Sequence, residues 1–375
     1  MSTSTIRIGI IGSGGIAGSH AAAYKTIPGV EIAAVADAIP GKALEFIRKH
    51  DLIGTAPFDD YREMLAMDLD GISVCTPNSA HRQPTVDSLN AGKHVLLEKP
   101  MSVTLEEGLD MVKASRSSGR MLTIGFQPRY DPNMKLIQEI VRSGKLGKVY
   151  YVETGGGRRR GMPGGTFIRK ELAGAGAMAD IGCYSLDMAL NALDYPKPLT
   201  VSASTFNHFG RNPLYHAEAD KFDVEDFGAA MIRFEGDLTL HFKISWAMHL
   251  DSLGTTNFLG TDAGLKITPF GSGNWSGVWD GRVGNIEMFH DFMGGQTSTR
   301  IPLVDHQLDL FREKVRDFVD AIREGRGAPI PGEQILIQQA IIDGVIRSAE
   351  LRSEVSVEVP DYAGGAPEDQ QAEPV

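Results

Sequence analysis

Short apolar, β-branched runs recur through the first third of the chain, at Ile6–Ile11, Glu31–Ala36, Gly71–Cys75, Lys93–Leu97 and Met121–Gly125. Runs of this length and make-up read as buried strands. Helical stretches lie between them, near Ile16–Lys25, Gly41–Lys49, Pro84–Ala91 and Thr104–Ser118. Strand and helix in alternation predict an α/β unit, a doubly wound parallel sheet of the Rossmann kind with helices on both faces.

The pattern changes after Gln127-Pro128-Arg129-Tyr130-Asp131-Pro132, where two prolines interrupt regular structure and mark a domain junction. Beyond a helix at Met134–Ser143, strand-like runs follow at Val149–Glu153, Thr200–Ser204, Phe227–Phe234, Leu238–Ser245 and Asn257–Leu259. Strands in succession predict a second α/β domain on a large, mostly antiparallel sheet. A glycine-rich loop, Gly155–Gly165, and a helix from about Met178 to Leu193 interrupt the series; helices near Leu308–Glu324 and Glu333–Leu351 close it. The expected division is 1–128, 129–360 and a disordered tail at 361–375, where apolar periodicity is lost.

Composition narrows the function classes. The 375 residues carry 37 Lys plus Arg against 48 Asp plus Glu, a formal charge of -11. Nucleic-acid binding needs a concentrated positive surface, so the charge points to a small-molecule partner instead. Apolar runs fall far short of the roughly 20 residues of a membrane helix, and the stretch after Arg7 is too short for a signal segment. A cytoplasmic protein that does not engage a membrane is expected. Cys75 and Cys183 read as buried packing thiols, and His208, His216, His241 and His249 are too scattered to hold a metal.

The chemistry starts after the first strand, at Gly12-Ser13-Gly14-Gly15-Ile16-Ala17, a G-x-G-x-x-A match that opens a helix. The first glycine permits the tight turn, the second lets backbone approach a pyrophosphate, and the small last residue lets helix and strand pack closely. Alone, the pattern also fits a turn that binds nothing. Asp37, at the end of the second strand, stands where a dinucleotide site needs a carboxylate for the ribose hydroxyls; a turn or helix cap is its alternative role. That carboxylate would repel a 2′-phosphate, and Ala38, Ile39 and Pro40 supply no cation, which favours NAD; Lys42 keeps NADP open. Thr76-Pro77-Asn78 and Glu98-Lys99-Pro100 end two further strands on the same edge and are expected to line the cofactor crevice.

With these segments in order, the chain resembles the Gfo/Idh/MocA oxidoreductases, NAD(P)-dependent dehydrogenases of sugars and polyols. The resemblance rests on the glycine turn, Thr76-Pro77-Asn78, the Glu98-Lys99-Pro100 match to the family's E-K-P, the Gln127–Pro132 segment, and Gly174–Tyr184. The last is similar to the family's G-G-G-x-x-x-D-x-G-x-H, with Ala175 for the middle glycine and Tyr184 for the histidine that most members use as acid/base. The expected cofactor contacts are Gly12, Gly14, Gly15, Ile16, Asp37, Thr76, Pro77, Asn78, His81, Glu98, Lys99 and Arg129. The resemblance also implies a homodimer or homotetramer assembled through the open face of the second sheet.

On one helix at 100° per residue, Asp180, Tyr184 and Asp187 fall within about 60° of each other, so one face presents a phenol and two carboxylates. Packing roles remain the alternatives for Tyr184 and Asp187. Alcohol oxidation needs a base for the hydroxyl proton, and a free phenol, with a pKa near 10, is a poor one. The expectation is that the Lys99 ammonium lowers the Tyr184 pKa and polarises the reacting oxygen, while Asp180 binds a neighbouring hydroxyl. Among Arg158, Arg159 and Arg160, one residue, taken as Arg158, is expected in the substrate pocket, with a solvated loop or subunit contact as the alternative. His241 and Trp246 either face the sugar or pack within the sheet. The function expected is hydride transfer between NAD(P) and a secondary hydroxyl of a sugar, polyol or glycoside. Its rivals are a sugar–sugar oxidoreductase that retains its cofactor, a ketosugar or dicarbonyl reductase, and a non-catalytic nucleotide-responsive regulator.

Overall fold

The computed structural model describes residues 5–270, the backbone of 275–277, and residues 283–362. The expected tail lies outside the described residues apart from Asp361 and Tyr362. Six strands, β1 (Ile6–Ile11), β2 (Val30–Ala36), β3 (Ala56–Phe58), β4 (Gly71–Val74), β5 (His94–Leu97) and β6 (Leu122–Ile124), form a wholly parallel sheet in the order β3-β2-β1-β4-β5-β6. Helices cover both faces, so these strands are apolar at nearly every position; β4 is buried throughout. The strand order reverses beside β1, and that topological switch point is where such sheets bind ligands.

The second sheet gathers β7 (Val149–Arg158), β8 (Pro198–Phe206), β9 (Phe227–Phe234), β10 (Thr239–Ser245), β11 (Thr256–Gly260), β12 (Ala263–Pro269), β13 (Trp275–Gly277), β14 (Val283–Phe292), β15 (Gly295–Ile301) and β16 (Val355–Ser356). Its order is β15-β14-β12-β11-β7-β10-β9-β8-β16, with β13 on β7; the β7–β10 pair is parallel and the other pairs are antiparallel. Alternation in β9 turns Ala230, Ile232 and Phe234 to the core and leaves Met231 and Arg233 outside. Helices Gly182–Ala192 and Gly332–Leu351 lie in that core.

The expected loop Gly155–Gly165 begins four residues too early, because Gly155 to Arg158 continue β7. A Cβ on Gly155 would sit 1.8 Å from the Lys243 carbonyl oxygen, and one on Gly157 2.8 Å from that of Ser245. Glycine here lets two neighbouring backbones close up within the sheet and does not break it. No helix among the described residues is long and apolar enough to cross a membrane.

Candidate active site

The turn after β1 builds the outer half of the site. Gly12 has φ +89°, and a Cβ there would meet the Cys75 backbone at 2.8 Å. At Gly14 and Gly15 an added Cβ would meet nothing within 4 Å, so bare backbone faces open space. The helix Gly15–Tyr24 starts here without a side-chain cap, and its first N–H groups form a positive end suited to a pyrophosphate. In front lies a cavity of about 870 Å³, bordered by the glycine turn, Ile16, Asp37, Thr76, Pro77, Asn78, His81, Glu98, Lys99, Gln127 and Tyr184.

Asp37 follows β2 directly. Its Oδ2 accepts hydrogen bonds from Ser13 N at 2.9 Å and Ser13 Oγ at 2.6 Å, and its Oδ1 accepts one from Ile39 N at 3.0 Å. Burial pushes this carboxyl's pKa up, but the hydrogen bonds and the charge of Lys42 outweigh it and hold the group below its ordinary value. Bare glycine backbone, an uncapped helix start, a fixed carboxylate and a cavity of this size fit a dinucleotide.

At the inner end, Lys99 Nζ donates to the Asp180 backbone oxygen at 3.0 Å and to Asp180 Oδ1 at 3.1 Å, and lies 4.9 Å from the centre of the Tyr184 ring. Trp246, wholly buried, donates Nε1 to Asp180 Oδ2 at 3.1 Å. Burial lowers the Lys99 pKa, yet its acidic neighbours Tyr184 and Asp180 reverse this and hold the ammonium above its ordinary value. For Tyr184 the balance runs against the sequence-based expectation. Burial raises the phenol pKa more than the Lys99 charge lowers it, because the ring is only 6% exposed and the cation is shared with Asp180.

Other expectations also need correction. The chain does not run as one helix from Met178 to Leu193: Ala177–Asp180 and Gly182–Ala192 are separate segments joined at Ile181. A Cβ on Gly182 would lie 2.8 Å from the Phe242 ring, so the break brings the second segment close against β10. Asp180 and Tyr184 still meet at Lys99, but Asp187 does not join them. Its two oxygens accept Arg129 Nη2 at 2.7 Å and Nε at 2.9 Å, and Tyr195 donates its hydroxyl to the same carboxylate at 2.5 Å. Arg129 is therefore committed to this buried ion pair and does not border the cavity, contrary to its expected role as a cofactor contact.

Glu98 and His81 border the cavity with their polar atoms already engaged. The Glu98 carboxylate pairs with Lys314 and His20, and the His81 ring nitrogens lie 3.0 Å from Thr76 O and 2.9 Å from Pro100 O. Arg158 stands outside the cavity lining but close enough to Asp180 to feel its charge, and donates to Gly161 O at 2.7 Å. Arg160 stacks on Phe209 and Tyr215, at 4.6 and 4.9 Å from their ring centres. Trp246 packs and supports Asp180, whereas His241 lies on the opposite face of β10, 3.8 Å from Glu153.

Sequence reasoning passed over Ser13, Tyr61, Arg62, Thr166, Phe167 and Phe311, all on the cavity wall, and gave Gln127 no role. Ser13 lies inside the glycine motif and could have been paired with Asp37 as its donor. Phe167 and Phe311 come from distant segments and carry no local signal.

Two family models match: an oxidoreductase family with an NAD-binding Rossmann fold over residues 6–126, and the GFO/IDH/MocA C-terminal domain over residues 134–266. The D-glucoside 3-dehydrogenase of Escherichia coli (strain K12) is 34% identical over 278 residues, 72% of this chain and 79% of that protein. The inositol 2-dehydrogenase of Rhizobium meliloti (strain 1021) is 24% identical over 94% of this chain and 99% of its own. Among solved structures, levoglucosan dehydrogenase in complex with NADH superposes with a TM-score of 0.79 at 21% identity, covering 94% of this chain and 99% of that one. With matched domains at both ends of the cavity, the chain belongs to the Gfo/Idh/MocA family of NAD-binding oxidoreductases.

Proposed function

We propose that the protein reversibly oxidises a secondary hydroxyl of a pyranoside, polyol or glycoside, using NAD. The observation that carries this reading is the Lys99 ammonium, fixed by Asp180 and set over the Tyr184 ring at the inner end of the nucleotide cavity. When bound, NAD supplies the hydride acceptor. The chain's own residues manage the oxygen and its proton. An ammonium has three N–H donors; two point to Asp180, and the third serves the substrate oxygen. Tyr184 exchanges the hydroxyl proton, and Asp180, held by Lys99 and Trp246, accepts from a neighbouring hydroxyl. Arg158, outside the cavity lining, adds a positive charge beside Asp180 on the substrate side. Asp37 receives the ribose hydroxyls, which selects NAD.

The raised phenol pKa gives a direction. At neutral pH Tyr184 carries its proton and is ready to donate to a carbonyl; it accepts from an alcohol only after losing that proton. Oxidation is therefore expected to rise about tenfold per pH unit over about pH 6 to 9, with carbonyl reduction level across the same range. Measuring kcat/KM in both directions checks this, and an oxidation rate independent of pH would remove the phenol from the base role.

The identifying experiment follows NADH absorbance with NAD and, separately, NADP across D-glucosides, inositols and levoglucosan, substrates named by the relatives. Oxidation of at least one with NAD is the expected result; none with either cofactor overturns the reading.

The open face of the second sheet supports a homo-oligomer. Tyr151, Leu259, Gly264 and Phe289 form one cross-strand row there, and Leu259 and Phe289 are exposed. Light scattering is expected to give a dimer or tetramer. The two free, buried thiols suit work in the cytoplasm.

A further inference from the structure

Gln127 borders the cavity together with Lys99 and Tyr184. Its Nε2 donates to the Tyr184 hydroxyl oxygen at 3.2 Å. Its Oε1 is shut off from solvent and has no hydrogen-bond partner among the described residues. A buried amide oxygen in that condition is disfavoured unless something completes it. The fold holds the amide there in advance. Gln127 opens the short turn Gln127–Tyr130, whose Pro128 is buried and whose Arg129 grips Asp187 through two nitrogens.

Whatever completes Oε1 must be a donor placed next to the group that Tyr184 addresses, since the two side chains touch. On a sugar ring, the hydroxyl of the carbon adjacent to the reacting one meets that condition. We propose that Gln127 is a specificity-determining and positioning residue, its Nε2 fixing the Tyr184 oxygen and its Oε1, presented by a small turn of this half-buried side chain toward the cavity it borders, accepting a hydrogen bond from the hydroxyl next to the one oxidised. This rests on the sugar dehydrogenase reading above. The contact also directs the phenol: an oxygen that accepts from Gln127 aims its own proton elsewhere.

The test uses the full-length protein, the pyranoside or polyol identified by the panel, and analogues lacking the hydroxyl on either adjacent carbon. In the unsubstituted enzyme, loss of one of these hydroxyls is expected to lower kcat/KM on the order of tenfold or more. Gln127→Leu should erase that discrimination, so that parent and deoxy analogue react within about threefold of one another, the coupling of a double-mutant cycle. Gln127→Glu keeps the acceptor and loses the donor. It should retain the discrimination while kcat falls, and its oxidation limb should move to higher pH. A carboxylate at 127 would join Glu98 and the Cys183 thiol as groups that raise the Tyr184 pKa, with Lys99 opposing them.

NADH affinity, read by fluorescence quenching, should stay within about threefold in both variants. Discrimination undiminished in Gln127→Leu overturns the proposal. So does a loss of NADH affinity of about tenfold or more, which would assign Oε1 to the cofactor's carboxamide. If the panel yields no substrate, the function itself has failed and this inference falls with it; a panel success without coupling defeats the inference alone.

Discussion

If Tyr184 is the acid/base proposed above, Tyr184→Phe is expected to lower kcat in both directions by about 10²–10⁴-fold and to leave NADH binding within about twofold. The substitution removes one oxygen and keeps the ring, which packs edge to face on Phe126 at 5.8 Å and lies under the Lys99 ammonium. The fold around it should therefore survive, so a loss of rate reports the missing proton carrier and not a collapsed site. In the proposed mechanism the remaining activity would come from hydride transfer to an oriented cofactor, with Lys99 retained beside the site. Steady-state kinetics with a quenching titration of NADH separates the two quantities. Turnover within about fivefold of the parent would show that the proton leaves by another route.

The second large effect is on stability. Lys314→Ala is expected to destabilise the protein by about 3–5 kcal/mol. Lys314 is only 2% exposed, on the helix Leu310–Glu324, and its Nζ donates to Glu98 Oε1 at 2.5 Å. His20 Nε2 lies 2.8 Å from the same oxygen, and Ser73 and Tyr24 extend the buried chain of hydrogen bonds. Burial pushes the Glu98 pKa up, while Lys314 and His20 pull it far below the ordinary carboxylate value. A carboxyl depressed in the folded state stabilises it above the unfolded pKa, and that contribution fades as pH falls toward the folded value.

Without Lys314 the sign reverses, because Glu98 loses its buried cation and is left with His20, whose pKa burial lowers and the Lys314 charge no longer does. The variant should thus be weakest near neutral pH and recover in part toward pH 5, where the Glu98–His20 pair can take up a proton. Lys314→Met combined with Glu98→Gln should restore most of the loss, since the uncompensated charge is gone. Denaturation midpoints across pH measure this; a Lys314→Ala midpoint equal to the parent's at pH 7 would contradict it.

The first sheet was legible because strands buried on both faces must be apolar along their length, and the motif residues cluster at their ends. Five of its six strands are visible in that way; Ala56–Phe58, three residues with a central proline, carries no such signal. β14 and β15 escaped for a related reason. Gly295–Ile301 is almost wholly exposed, so nothing forces apolar alternation on it. The cavity wall was legible where residues sit in a short motif, at Gly12–Ile16, Asp37, Lys99 and Tyr184, with Asp180 bonded to Lys99 behind them. Arg129 was misread because its partner Asp187 lies 58 residues away, and no spacing rule reveals that one satisfies the other. The pKa of Tyr184 was misjudged because the sequence names its cation but not the depth of its burial.

The helix that carries Lys314 also places Val315, Phe318 and Val319 in the core of the first sheet, beside Ile8, Ile10 and Leu96. Nearly two hundred residues separate it from the rest of that core, so the nucleotide-binding unit is discontinuous along the gene. A chimera that exchanged only the segment before residue 128 would bring in a sheet whose flank is shaped for another helix, against Val315, Phe318 and Val319 of this one. Exchange of cofactor preference between relatives by recombination should therefore succeed only when the two distant segments travel together.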